Sequence, residues 1–525
     1  MELESADLVG AAWLARRFGV GCVAPMAVVS RIGGRRATRI EGDATLETHV
    51  ERMRPVPSLR GHLVFHLKHE VPHLELLARV FEACDPQELI DWIQAEPTGR
   101  YARRAGFLCE FLTGRELPRS TAVGGAYVDV LDDALLVTAT PDQAVMNPRW
   151  RVRDNLPGTR AFCPVVRRTG TAAPGITLDV AGLVRALQSE FGDDLLTRSA
   201  VWMTLRESRA SFAIEGEADK TDRIQRFADV LARHAGRGAS PLVPASLAQL
   251  QAAILGPRTA LRTFGLRRSP VFVGEFVRRQ EVVHYVAPPP QDVEDMLRGL
   301  QTFLDRTRGQ SPVMRAAVAS FGFVFIRPLA DGNGRVHRFL IHDVLRRDGA
   351  LETPMIVPVS ALISANPGER RAYDAALDAF SAPLVRLLAG HYEFSATATL
   401  HADGVASNFV CHRDDLARPA WRYPDLGAQV GYLAGVLERT LREDMPEESR
   451  YLRAHARARV AIKEIIEMPD VQADRVIRSV LATDGHLSAA LAAEVPALLD
   501  GATWASVAAA VLGAFADVGH STHDR

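Results

Sequence analysis

The run Ser311–Asp348, SPVMRAAVASFGFVFIRPLADGNGRVHRFLIHDVLRRD, leaves few folds open. It predicts helix, tight loop, helix. Ser311 is a natural N-cap and Pro312 a natural first helical residue. Val313, Ala317, Phe321 and Val324 recur at three- and four-residue steps, as one apolar face should. Pro328 stops that helix. Asp331-Gly332-Asn333-Gly334 then turns the chain into a second helix from about Arg335, with Val336, Phe339, Leu340 and Val344 facing inward.

The junction is where chemistry is expected. A Gly-Asn-Gly turn feeding a helix points unpaired backbone N–H groups, at the positive end of the helix dipole, toward any bound anion. Gly332 and Gly334 let backbone approach a phosphate without a Cβ in the way. Arg335 and Arg338, three residues apart, can reach the same phosphates, with Asn333 between the glycines. Asp331, just before the turn, offers a hard oxygen to Mg²⁺ held against a diphosphate. Lysine is confined to Lys68, Lys220 and Lys463, so nearly all positive charge is arginine and one arginine alone says little. Acid, turn and paired arginines together say more.

Arg327-Pro-Leu329-Ala-Asp331-Gly332-Asn333-Gly334-Arg335-Val-His337-Arg338 resembles the Fic (Fido) motif, H-x-F-x-[D/E]-G-N-G-R-x-x-R. The resemblance implies a helical core with a β-hairpin flap, ATP and Mg²⁺ as cofactors, and transfer of AMP to a protein hydroxyl. It fails at two positions: Arg327 stands where the family has its catalytic His, and Leu329 where it has Phe. A general base for the acceptor hydroxyl should titrate near working pH, which His does and Arg does not. His337 is expected to be a packed or surface imidazole, and His342 with Asp343 does not make a sound metal spacing on one helix.

Upstream, Ser208-Arg-Ala-Ser211-Phe-Ala-Ile-Glu215-Gly216 reads by itself as a polar helix end. It also matches the family's inhibitory motif, [S/T]-x-x-x-E-[G/N], so the resemblance implies that Glu215 pairs with Arg338 where the ATP γ-phosphate would lie. Pro270–Gly274, with Val271, Phe272 and Val273, and Val282–Val286 read as two strands of a hairpin ended by Pro288-Pro-Pro. The family places a target-docking flap here, an exposed edge that supplies ladder hydrogen bonds. A hairpin that merely packs is the alternative.

The fold class expected is mainly α: a Fic-like core, an N-terminal α/β region and a C-terminal helical region. The divisions expected are a mainly helical domain over 1–115, a β-rich connector over 116–178, the Fic-like domain with its inhibitory helix over 179–395, a linker over 396–420 and helices over 421–525. The first helix and the strand Val23–Ile32 are compatible with a small winged-helix unit. Arg100, Arg103 and Arg104 read as a solvated helix face. A helix-turn-helix around Val476–Leu491 competes with a packing or dimerisation module, beside the cluster Arg450, Arg453, Arg457 and Arg459.

At 525 residues with 47% hydrophobic and 24% charged, the chain can bury several cores. A net charge of −1 gives no case for nucleic acid or an anionic membrane as the main partner. Five scattered cysteines without zinc spacing, an acidic Met1–Ser5 and no membrane-length apolar run point to a cytoplasmic protein. A protein target docking at 270–286 and a second copy of the chain are the partner classes left open.

Three functions follow. The first is a nucleotide-binding Fic-fold protein with transferase activity weak or lost. The second is an active enzyme on the same diphosphate cradle, whether by group transfer or by AMP-removing hydrolysis using Glu215. The third is a non-catalytic interaction or regulatory protein.

Overall fold

The computed structural model describes residues 7–41, 44–118, 122–217, 220–257, 259, 261–277 and 280–516; Met1–Ser5 lies outside them. The first unit combines β1 (Leu8–Val9), α1 (Ala11–Phe18), β2 (Val28–Gly33), β3 (Ala37–Glu41) and β4 (Ala44–Val50) with α2 (Leu59–His69), α3 (Leu74–Ala83), α4 (Pro86–Ala95) and α5 (Arg100–Thr113). The strands form one sheet in the order β1-β2-β4-β3, with β2 and β4 parallel. That is more sheet than the single strand expected here. Arg103 and Arg104 are a correction. Both are buried, and their guanidinium groups donate to carbonyls of Ala126 and Arg151, and of Val130 and Leu67. A helix face lined with long aliphatic stems can bury them once carbonyls take the charge.

The stretch after α5 does not behave as a separate connector. Its strands β5 (Val128–Asp129), β6 (Val145–Asn147) and β7 (Val152–Asp154) are short, and Ala134–Thr140 carries only an isolated bridge between Leu136 and Arg167. Leu131, Trp150 and Leu156 belong instead to the N-terminal hydrophobic core.

The largest core follows. Around it lie α6 (Ala173–Thr177), α7 (Val180–Phe191), α8 (Asp193–Ile214), α9 (Thr221–His234), α10 (Pro244–Leu255), the hairpin β8 (Phe272–Val277)–β9 (Gln280–Val286), α11 (Val293–Arg306), α12 (Pro312–Ile326), α13 (Asn333–Arg347), α14 (Val359–Ala365) and α15 (Pro367–Leu387). At the centre α12 is buried from Val313 to Ile326. Ser311 caps it, its Oγ accepting from Met314 N at 3.3 Å. Arg315 closes the α12–α13 hairpin by a two-pronged pair with Asp348 at 2.6 and 3.1 Å.

Residues 396–420, expected as a linker, are ordered structure. They continue β10 (Tyr392–Leu400), turn into β11 (Ala406–Cys411) and enter α16 (Asp414–Arg422). Alternation in Tyr392–Leu400 is masked by Ser and Thr, and both strands are short of large apolar residues, so composition alone looked polar. The helix α17 (Gly427–Arg439) likewise belongs to the central core through Val430, Leu433 and Leu437.

A separate core forms only from about residue 454, within α18 (Met445–Ile465), α19 (Asp470–Ala482), α20 (Ala489–Glu494) and α21 (Gly501–Ala514). Within the arginine cluster, Arg450 and Arg453 lie over Phe191, and Arg459 pairs with Asp474 at 2.6 Å. In the stretch Val476–Leu491, where a helix-turn-helix competed with a packing module, the second helix, α20, has six residues. No helix among the described residues is long and apolar enough to cross a membrane.

Candidate active site

The loop between α12 and α13 is held by its own residues. Arg327 ends α12 in the left-handed region, at φ 45°, because Pro328 follows and the helix cannot continue. Gly332 stands at φ 91°, where a side chain would be strained. Asn333 is buried, and its side chain is spent inside the loop: Nδ2 donates to Leu329 O at 2.7 Å and Oδ1 accepts from Leu329 N at 3.1 Å. Any contact of Asn333 with a ligand is therefore left to its backbone N–H. In the first turn of α13 the N–H groups have no intrahelical acceptor.

Both cradle arginines are buried and face one carboxylate. Arg338 donates to Glu215 Oε1 in a short bond, and to Ser211 Oγ at 2.5 Å and Ser211 O at 3.1 Å. Arg335 Nε lies 3.0 Å from Glu215 Oε2 and Nη2 lies 3.3 Å from Asp331, while its guanidinium covers the Phe212 ring. Glu215 thus bridges Arg335 and Arg338, one oxygen each. A Cβ on Gly334 would come within 2.2 Å of Glu215 Oε1, so a side chain there would displace that carboxylate from its present position. Gly216, at φ 73°, ends the α8 segment just beyond.

Sequence reasoning missed a further rung. One turn before Ser211 on α8, Glu207 is fully buried, accepts from Ser360 N at 2.7 Å and Ser360 Oγ at 2.5 Å, and lies 3.6 Å from His342 Nε2. Residues 207, 211 and 215 of α8 therefore meet 342, 338 and 335 of α13 in antiparallel order. The four-residue spacing of Glu207, Ser211 and Glu215 was visible, but nothing in the sequence said that α13 would face it. On its other side α8 is gripped by the chain after α17: Arg206 pairs with Asp444 at 2.8 and 2.9 Å, and Trp202 Nε1 donates to Glu448 at 2.9 Å.

Asp331 is about half exposed, at 49%. Its Oδ1 accepts from Gly332 N at 2.6 Å, besides meeting Arg335. A single accessible carboxylate fits Mg²⁺, which keeps several waters and takes one or two protein carboxylates. The one cluster with metal-ligand spacing among the described residues, Cys22, His73 and Glu75, lies elsewhere. Its atoms are spent on backbone: Glu75 accepts from Val23 N and Ala24 N, and His73 contacts Leu76 N and Ala24 O.

His337 is buried behind α13 against Phe321, and burial, with Arg338 nearby, pushes its pKa down to about 3. It does not take the place of the missing base. Leu329 is fully buried and part of the central core.

Two arginines stand at the end of α12 and differ in what they touch. Arg267, which no motif singled out, is 1% exposed and donates to Arg327 O at 2.6 Å, Ser269 O at 2.9 Å and Pro288 O at 2.5 Å. Burial pushes its pKa down to about 10, yet carbonyls satisfy its guanidinium. It ties the catalytic-position loop to the base of the flap. Arg327 has a sealed Nε without a hydrogen-bond partner among the described residues, and burial lowers its pKa too.

Val271, Phe272 and Val273 lie at the base of the flap, each partly buried. Phe272 packs on Phe409 and Phe394 of the second hairpin, ring centroids 5.0 and 5.1 Å apart. Asp403, at that hairpin's tip, accepts from Arg268 N, Ser269 N and Ser269 Oγ at 2.7–2.9 Å. The base of the flap is thus anchored, and Phe276, toward its tip, is exposed.

A family model described as Fic/DOC matches residues 245–345. Protein adenylyltransferase fic-1 of Caenorhabditis briggsae is 28% identical over 169 residues, 31% of this chain and 29% of that protein. Protein adenylyltransferase Fic of Drosophila virilis is 37% identical over 92 residues, 17% of this chain and 19% of that one. The chain therefore matches less than a third of these relatives' length. A crystal structure of a Fic family protein from Desulfovibrio desulfuricans aligns at 17% identity and a TM-score of 0.36, over 56% of this chain and 80% of that one, too weak to bear on the fold. The family match thus lies on the loop and arginines just described, and residues 245–345 of the chain are similar to the Fic/DOC family.

Proposed function

We propose that this protein binds ATP with Mg²⁺, is held shut by its own Glu215, and transfers AMP to hydroxyl groups weakly or not at all. The observation that carries the reading is the Glu215 bridge to Arg335 and Arg338. A carboxylate occupying both guanidinium groups competes with a phosphate for the same donors. Displaced, it would leave two buried arginines beside a helix N-terminus, a site with strong preference for polyanions. Asp331 would hold Mg²⁺, which neutralises diphosphate charge when bound. Arg327 stays protonated and takes no proton from an acceptor hydroxyl. The flap hairpin β8–β9 offers open strand edges to a protein target.

Calorimetry on Glu215→Gly tests this. ATP affinity should rise ~10–100-fold, the worth of one or two charge-assisted hydrogen bonds, and ADP affinity should rise less. Equal changes for ATP and ADP would remove Glu215 from the γ-phosphate position. Asp331→Ala should weaken Mg²⁺-dependent binding and spare binding in chelator; equal losses would show that Asp331 is no metal ligand.

A further inference from the structure

The loop that carries Asp331 is tied to the base of the flap along one line. Arg267 N donates to Pro328 O at 2.9 Å and Leu266 bridges Leu329, so the two backbones run antiparallel there. The pairing stops at Gly265, whose φ of 114° suits glycine and strains other residues. A side chain from α10 supplies the next rung. Gln251 Oε1 accepts from Gly265 N at 2.7 Å, and Gln251 Nε2 donates to Asp331 O at 2.9 Å. The amide can face only one way, since a backbone N–H only donates and a carbonyl only accepts. Gln251 is 1% exposed, so a residue unable to do both would leave a donor and an acceptor unmet away from water. On the side chain of Asp331, Oδ1 accepts from Gly332 N and meets Arg335, while Oδ2 accepts no hydrogen bond among the described residues.

We propose that Gln251 is the positioning residue for the divalent metal: its amide fixes the Asp331 backbone against the base of the flap, and so sets where the carboxylate meets Mg²⁺. This rests on the reading of Asp331 as the metal ligand given above. Aspartate is short, so its carboxylate goes where its backbone is put. Mg²⁺ demands near-ideal octahedral geometry at short distances, so a displaced ligand loses affinity steeply. Partners that orient a metal ligand without touching the metal matter for the same reason. The phosphate donors do not depend on Gln251 in this way. The first turn of α13 is held by the Asn333 side chain, which bonds Leu329 N and O, and the cradle arginines stand on α13 itself. Loss of the amide should therefore separate metal binding from phosphate binding.

The test measures ADP affinity by calorimetry, with Mg²⁺ and in chelator, on the full chain carrying Glu215→Gly. Gln251→Met keeps the length of the side chain and loses both hydrogen bonds; Gln251→Asn leaves the amide one methylene short of its partners. Each should weaken ADP binding in Mg²⁺ ~10-fold, approaching the loss from Asp331→Ala, and leave binding in chelator within about twofold of the parent. Either variant suffices where the other does not fold. Gln251→Glu donates and accepts at the same two positions in mild acid, where burial keeps its carboxyl neutral, and should bind as the parent does at that pH. The inference is overturned if a folded Gln251→Met or Gln251→Asn keeps the parent's affinity in Mg²⁺, if it loses as much in chelator, or if Gln251→Glu in mild acid falls with them. An Asp331→Ala variant that loses nothing in Mg²⁺ would instead overturn the metal reading beneath it.

Discussion

Two contacts close on the loop between α12 and α13, and they are made of opposite materials. On one side α8 meets α13 through a ladder of charge: Glu207 with His342, Ser211 with Arg338, Glu215 with Arg335 and Arg338. On the other, the flap base meets the second hairpin through Phe272, Phe394 and Phe409, pinned by Asp403. A ladder of charge has a competitor in solution, because a phosphate offers the same acceptors as a carboxylate. An aromatic stack has none; its burial is lost only when the elements part. The first contact is therefore suited to opening and the second to holding the flap in register.

The sharpest way to break this comparison is Phe409→Ala. Phe409 is 3% exposed, and truncating a buried Phe typically costs about 3–5 kcal/mol. Urea unfolding should show that loss in the central core while nucleotide affinity of any correctly folded fraction stays near its parent's. A loss below about 1 kcal/mol would mean the second hairpin does not brace the flap.

The switchable side is probed by combining Glu215→Gly, Arg327→His and Leu329→Phe. Opening the ladder and restoring a titratable base should raise labelled-AMP incorporation into hydroxyl acceptors ~10²-fold or more over Glu215→Gly alone. Self-modification is the simplest readout. A triple variant that binds ATP–Mg²⁺ yet stays inactive would show that the site has been rebuilt beyond its base.

Acid should act on the polar side through His337, which lies behind the ladder next to Arg338. Its folded pKa, about 3, is below the ordinary 6.5, so the unfolded chain binds the proton first. The contribution to stability is full above about pH 6.5 and falls as pH drops toward 3, at up to ~1.4 kcal/mol per pH unit. His337→Gln should flatten that slope, measured as denaturant midpoint against pH. An unchanged slope would place the titration elsewhere.

The smallest effect is expected at the outer face of α8. Arg206→Ala removes the pair with Asp444, partly exposed at 20% and 16%, worth ~1 kcal/mol. If the chain after α17 helps hold α8 in place, ATP affinity should rise a few-fold. No rise would confine control of the ladder to α13.

The helix–loop–helix, its Ser311 cap and its glycine turn were legible in the chain because each is a local rule: a cap, a period, a turn; the pairing of Glu215 with Arg338 was implied only by the family resemblance. That residue 327 cannot act as a general base was legible too, since it depends on what Arg is. What the sequence could not hold was which surfaces meet. Asn333 looked like a ligand residue and proved to be the lock of its own loop, because Leu329 offers its backbone there. Arg103 and Arg104 looked solvated and are buried, because carbonyls from Leu67, Ala126 and Val130 converge on them. Residues 396–420 looked like a linker and instead complete the β10–β11 hairpin and enter α16, and the hairpin's aromatic face is covered by Phe272, more than a hundred residues earlier. Arg267 stood at an unremarkable position and Arg327 inside the motif, and only the tertiary structure showed what each touches. Carbonyls surround one and not the other, and a buried cation's role is set by the acceptors around it.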